Sequence, residues 1–171
     1  LTEGPVSSAG TEVIKQLGTP ISGENSNDES GKRIAISGDG TVVAIGATGN
    51  DGVGNSVFEA GHVRVYKWNG NAWVQRGGDI NGEAAGDLSG ESVAISEDGL
   101  VVAIGASNND GNGSASGHIR IYAWNGSSWV KRGADIDGEA VADGFGDSVS
   151  LNSDGSIVAA GAMSNDSGGS N

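Results

Sequence analysis

Short apolar runs, punctuated by Gly, Asn, Asp and Ser, recur along the chain in a fixed order. KRIAIS, ESVAIS and DSVSLN are brief and rich in β-branched residues, as strands are. Each runs into a turn holding Asp39-Gly40, Asp98-Gly99 or Asp154-Gly155. TVVAIGA, LVVAIGA and SIVAAGA follow and are almost continuously apolar. That pattern predicts strands covered on both faces. HVRVYKW and HIRIYAW alternate with the two-residue period of a strand. Asn69-Gly70 and Asn125-Gly126 then predict hairpin turns, because both residue types tolerate positive φ. AWVQRG and SWVKRG supply a fourth strand, and no segment carries a helical period.

These strands form a tandem repeat. The Asp-Gly turns are offset by 98 − 39 = 59 and 154 − 98 = 56 residues. Gly46-Ala47, Gly105-Ala106 and Gly161-Ala162 keep the same offsets, as do Glu24, Glu83 and Glu139. The difference falls in one Gly/Asn/Ser-rich segment, where a surface loop tolerates a change of length. The predicted fold class is all-β, built of four-stranded antiparallel blades of the β-propeller type. There are about three repeats, incomplete at both ends. The expected division is 1–16, an N-terminal segment ending in a partial blade strand; 17–76, repeat 1; 77–132, repeat 2; and 133–171, a partial repeat 3. TEVIKQLGTPISGE resembles AWVQRGGDINGE, with Ile14 at the place of Trp73, hence the partial strand. A propeller closes with about four to eight blades. Either the chain is a piece of a longer protein, or its open ends find strands elsewhere.

Composition narrows the partners. The 171 residues hold 22 acidic side chains against 9 basic ones, a formal net charge of −13. That argues against nucleic acid and anionic membranes, both of which attract basic patches. Glycine (32) far outnumbers proline (2), which suits tight turns between short strands. With no cysteine, neither a disulfide nor a thiolate site is available. No apolar stretch is long enough to span a bilayer as a helix. The chain starts at Leu1, which leaves open a removed leader or a longer product.

GFGDSVSLNSDGSIVAAGA, from Gly144 to Ala162, resembles the FG-GAP repeat of integrin-α-type β-propellers. Phe145-Gly146 matches the FG element and Gly161-Ala162 the GA of GAP, without its proline. The earlier repeats are weaker, with Leu88 to Gly90 and only Gly31 in place of FG. VRVYKWNGNAWVQRG resembles the Trp-Asn-Gly form of these repeats in large secreted or surface proteins. The resemblance spans Glu12 to Gly169. It implies a propeller architecture and an extracellular or cell-surface location. It also implies calcium between the first two strands of a blade. Here those loops are only SGDGT, SEDGL and NSDGS, too few oxygens to encircle the ion.

A second set of loops is richer in oxygen. Asp51, Asp110 and Asp166 hold equivalent places beside Asn50, Asn109 and Asn165. They are the candidate metal ligands, with calcium the cation in view; the plainer reading is turn chemistry. Asp79, Glu83, Asp87, Asp135, Asp137, Glu139 and Asp143 are expected to crowd one acidic rim, which either attracts cations or, on the plainer reading, keeps the surface soluble. His62 and His118 share a repeat position but lie in different blades, so a shared ion is not expected. Trp68, Trp73, Trp124 and Trp129 are expected to pack between blades. Asn112, Asn125 and Asn165 open Asn-X-Ser sequons and are candidate glycosylation sites. Phe58, in a segment that breaks the repeat, is a candidate partner contact.

No His–acid–Ser set breaks the repeat, so an enzyme is not expected. The leading reading is an extracellular structural module that assembles into a surface structure or filament through incomplete blades. Its partners would be copies of itself or neighbouring repeats of a longer chain. The alternative is an adhesion propeller fragment that binds a glycan or a protein.

Overall fold

A computed structural model describes residues 15–52 and 57–165. Among these residues every regular element is a strand. The first sheet holds β1 (Arg33–Ile36), β2 (Val42–Ala47), β3 (His62–Trp68), β4 (Trp73–Gln75) and β5 (Ile80–Asn81). The second holds β6 (Ser92–Ile95), β7 (Val101–Ala106), β8 (His118–Trp124), β9 (Trp129–Lys131) and β10 (Ile136–Asp137). A third, two-stranded sheet pairs β11 (Phe145–Leu151) with β12 (Val158–Ala162). All pairings within the sheets are antiparallel, and none of the sheets closes on itself. The all-β blade architecture read from the sequence is thus the architecture of the molecule.

The fourth strand differs in one respect. Sequence predicts a single outer strand, but the structure splits it. Both β4 and β5 pair with β3, with Trp68 opposite Trp73 and then Val63 opposite Ile80. The ladder is broken over residues 76–79, where Gly77 takes a φ of +81°. A two-residue strand such as Ile80–Asn81 is too short to carry a period, so sequence patterning misses it. β9 and β10 repeat the arrangement on β8.

Local chemistry closes the turns as expected. Asn69 Oδ1 accepts from the backbone N–H groups of Asn71 and Ala72 at 2.9 and 2.8 Å. Asn125 Oδ1 does the same for Ser127 and Ser128, both at 2.9 Å. In the Asp-Gly turns, Asp39 Oδ1 accepts from Ser37 Oγ and Thr41 N, and Asp98 Oδ1 from Ser96 Oγ and Leu100 N. The aspartates of these short loops are therefore engaged within their own turns.

Blades stack face to face. The core joins Val42, Ala44, Val63, Val65 and Ile80 of the first sheet to Val102 and Ile104 of the second. Val93, Ile95, Tyr122 and Trp129 pack against its margin. Small residues permit the approach: a Cβ on Gly46 would lie 2.2 Å from Gly90 O, and one on Gly105 2.0 Å from Gly146 O. The turns of successive blades are also stitched together. Gly38 N donates to Glu97 O, and Glu97 N donates to Ser153 O, both at 2.8 Å.

Candidate functional site

The connector that enters each blade returns to the start of that blade's third strand. In the first blade, Arg64 Nη2 donates to Ser22 O at 2.9 Å, and in the second Arg120 Nη2 donates to Asn81 O at 2.8 Å. These bonds hold Glu24 and Glu83 beside His62 and His118. The loop between the two outer-strand segments supplies a second carboxylate, Asp79 or Asp135. The result is one converging set per blade, Glu24–His62–Asp79 and Glu83–His118–Asp135, with one ligand-type atom from each residue within 4.8 Å of the others.

Both imidazoles are buried, while Glu24, Asp79 and Glu83 reach solvent and Asp135 is half-buried. Among the described residues His62 Nδ1 has no hydrogen-bond partner; Glu24 Oε2 stands 3.9 Å away. Burial holds both histidines below their ordinary pKa, against the pull of the nearby carboxylates. Each set includes an arginine, with Arg64 Nη1 3.5 Å from Glu24 Oε1 and Arg120 Nη1 3.2 Å from Glu83 Oε1. The sets differ at one neighbour. Gln75 Nε2 donates to Asp79 Oδ1 at 2.6 Å, whereas Lys131 Nζ lies 2.7 Å from Asp135 Oδ1.

Sequence reasoning places the two histidines in separate blades but does not assemble these sets, whose members come from three separate segments. The signal was present: Glu24, His62, Arg64 and Asp79 recur as Glu83, His118, Arg120 and Asp135 at the repeat offsets. The expected acidic rim divides instead of crowding one edge. Asp87 and Asp143 are buried, and each accepts from a backbone N–H of its own connector, Ala84 and Ala140. Burial of these two carboxylates is tolerable because each accepts from a backbone N–H and an asparagine amide. Asn109 Nδ2 also donates to Asp87, at 3.0 Å, and Asn50 Nδ2 donates to the equivalent Asp28 at 3.2 Å.

Asp51 and Asp110 close their own loops, accepting from Glu59 N at 3.0 Å and Ala115 N at 2.8 Å. Asp166 lies outside the described residues, as does Ile14. The tryptophans pair within each blade, with ring centroids 5.5 Å apart for Trp68–Trp73 and 5.4 Å for Trp124–Trp129. Trp129 Nε1 donates to Arg76 O in the preceding blade at 2.7 Å. Trp73 Nε1 donates likewise to Leu17 O at 3.0 Å. Asn125 is exposed at a hairpin tip, whereas Asn112 spends its side-chain amide on Gly138 O and Glu139 O. Asn165 donates to Asp143. Phe58 is 66% exposed beside a recess lined by Asn25, Asp28, Asp51 and Glu59.

The two outer faces of the stack are unlike its interior. Ile34 and Ile36 of β1 are 68% and 62% exposed. Their counterparts Val93 and Ile95 pack against the core. Val42 and Val101 are buried under the Gly99 and Gly155 turns of the next blade, yet the equivalent Ile157 is 65% exposed. Ile80 is 5% exposed and its counterpart Ile136 is 44% exposed. A Cβ on Gly31 would meet nothing within 4 Å, whereas Gly90 and Gly146 at the same repeat position abut the neighbouring blade.

Residues 81–122 match the FG-GAP repeat family, the family that the sequence resembles. The match spans the connector into the second blade and continues through β6 and β7 to Tyr122 in β8. FG-GAP repeats build β-propeller-like modules and typically occur in extracellular or surface proteins. No curated protein matches the chain. Among the described residues no helix is long and apolar enough to cross a membrane.

Proposed function

We propose that this chain is a structural module of an extracellular or cell-surface assembly, extended by further blades that stack on its two open faces. One observation carries the reading. The positions that are buried between blades inside the stack are bare at its ends, and the two ends are complementary: one exposes Ile34 and Ile36, the other Ile157. A blade laid on either face would repeat a contact the molecule already makes twice. The neighbour is either another copy or the next repeat of a longer chain.

Magnitude separates these two sources. Burying three isoleucines contributes about 4–9 kcal/mol. Bringing two free bodies together costs about 4–15 kcal/mol. Free copies therefore associate weakly, while a tethered neighbour docks readily. Light scattering from dilute to near-millimolar protein tests the reading. The average mass rises with concentration for the native chain and stays monomeric for Ile34→Asp. A native chain that remains monomeric throughout, with the amides of β1 protected from exchange, would sink assembly between copies and leave only a neighbour on the same chain.

A second reading is favoured by Phe58, a large apolar side chain exposed beside a polar recess. In that reading the module adheres to a glycan or protein ligand, and no reaction is assigned to it. Screening against immobilised glycans and matrix proteins, with Phe58→Ala as the comparison, tests this. Binding that Phe58→Ala leaves unchanged removes Phe58 from the contact.

A further inference from the structure

We propose that Glu24, His62 and Asp79 bind a borderline divalent cation of the zinc class, and that Glu83, His118 and Asp135 form a weaker copy of the same site. Three donors converge, one imidazole and two carboxylates. The pivotal atom is His62 Nδ1. Among the described residues it is buried without a hydrogen-bond partner, and it lies within the cluster, 3.9 Å from the nearest Glu24 oxygen. A buried polar atom left unsatisfied costs about 1–3 kcal/mol. A cation between the imidazole and the carboxylates removes that deficit.

The donor set selects the class of ion. Calcium takes six to eight oxygens and magnesium a near-ideal octahedron, so a site built on one imidazole and two carboxylates suits neither. Imidazole with carboxylate suits zinc and its neighbours, with a fourth position left to water. Ligand atoms around tetrahedral zinc stand about 3.3 Å apart, from bond lengths of about 2.0–2.1 Å. Closing from the present spacing needs only the exposed Glu24 and Asp79 to move toward a fixed imidazole.

The two copies are ranked by their neighbours. In the first, two carboxylates face one guanidinium, and Asp79 is held by the uncharged Gln75. In the second, Lys131 adds an ammonium 2.7 Å from Asp135 Oδ1, competing with an ion for that carboxylate. The first set carries a net negative charge and the second none. An ion in either set would fix the incoming connector, through Glu24 or Glu83, to the blade that holds the histidine. The open faces take no part in this.

Calorimetric titration of the metal-stripped chain with Zn2+ tests the proposal, with Ca2+ and Mg2+ as controls. The expected result is one tighter and one weaker zinc site. Changing a ligand's supporting partner typically moves metal affinity about 10–100-fold. Gln75→Lys should therefore weaken the tighter site by that order, and Lys131→Gln should strengthen the weaker one. Both exchanges are at half-buried or exposed surface positions. Glu24→Gln should abolish the tighter site and its zinc-dependent rise in melting temperature. Absence of zinc binding, or binding that none of these three changes alters, overturns the proposal. So does calcium binding of equal strength at the same residues.

Discussion

Gly77 and Gly133 occupy the same repeat position, with φ of +81° and +84°, but only one is packed. A Cβ on Gly77 would lie 2.8 Å from Trp124 Cζ3 and 3.1 Å from Trp129 Cδ1. A Cβ on Gly133 would meet nothing within 4 Å. Gly133→Ala therefore carries the left-handed backbone penalty alone, about 1–2 kcal/mol. Gly77→Ala adds an overpacking term of about 1–3 kcal/mol. Urea denaturation of the two variants should rank them in that order; equal losses would mean that the Trp pair yields freely. The Asp-Gly turns give a second test. The Thr41 backbone N–H, with help from the Ser37 and Thr41 hydroxyls, holds the Asp39 carboxyl below its usual pKa. Asp154 is lowered in the same way, chiefly by Ser156. A carboxyl whose pKa is depressed in the folded state stabilises above the unfolded value of about 4, and this is lost as pH falls through the folded value. Asp39→Asn keeps the turn acceptor but not the titration, so its urea midpoint should fall less steeply with acid than that of the native chain.

At the level of elements, the hairpin between the third and fourth strands was the most legible feature. Alternation marks β3 and β8, Asn-Gly marks the turn, and Trp faces Trp across it in both blades. The continuous apolar runs of β2 and β7 were equally plain, because strands sandwiched between blades have no polar face to show. What escaped was the split of the outer strand and, with it, the site. Asp79 and Asp135 owe their positions to the break between β4 and β5 or β9 and β10, and two-residue strands leave no period to read. The same hairpins support a prediction about packing. Trp129 lies against the inter-blade core and bonds to Arg76 O, while Arg76 stacks 4.9 Å over Trp124. Trp73 bonds instead to Leu17 O at an exposed edge, and the position of Arg76 is there taken by Leu17. Trp129→Ala should cost about 2–4 kcal/mol, reaching below the range of about 3–5 kcal/mol for buried aromatics because the indole is half-buried. Trp73→Ala should cost less. Far-ultraviolet circular dichroism in denaturant reads both without relying on tryptophan emission.

Considered as a whole molecule, the stack has a direction. Each blade receives the turn of the next on Val42 or Val101, and each presents its first strand to the one before. A contact of that kind is heterologous, since one surface meets a different surface, and its repetition yields a ring or a filament rather than a two-fold pair. The net charge of −13 opposes such growth between free copies, so added salt should strengthen it by screening the repulsion. Directionality also makes the two ends separately removable. Ile34→Asp destroys one end and leaves Ile157 intact; Ile157→Asp does the reverse. Each variant alone should then be monomeric, because every contact requires one end of each kind. Mixed in equal amounts, the two should form a one-to-one dimer and nothing larger, since the intact faces meet once and only disabled faces remain. Sedimentation velocity of the separate and mixed samples distinguishes this from a two-fold contact. A symmetric pairing through Ile34 would survive intact in Ile157→Asp and would gain nothing from mixing.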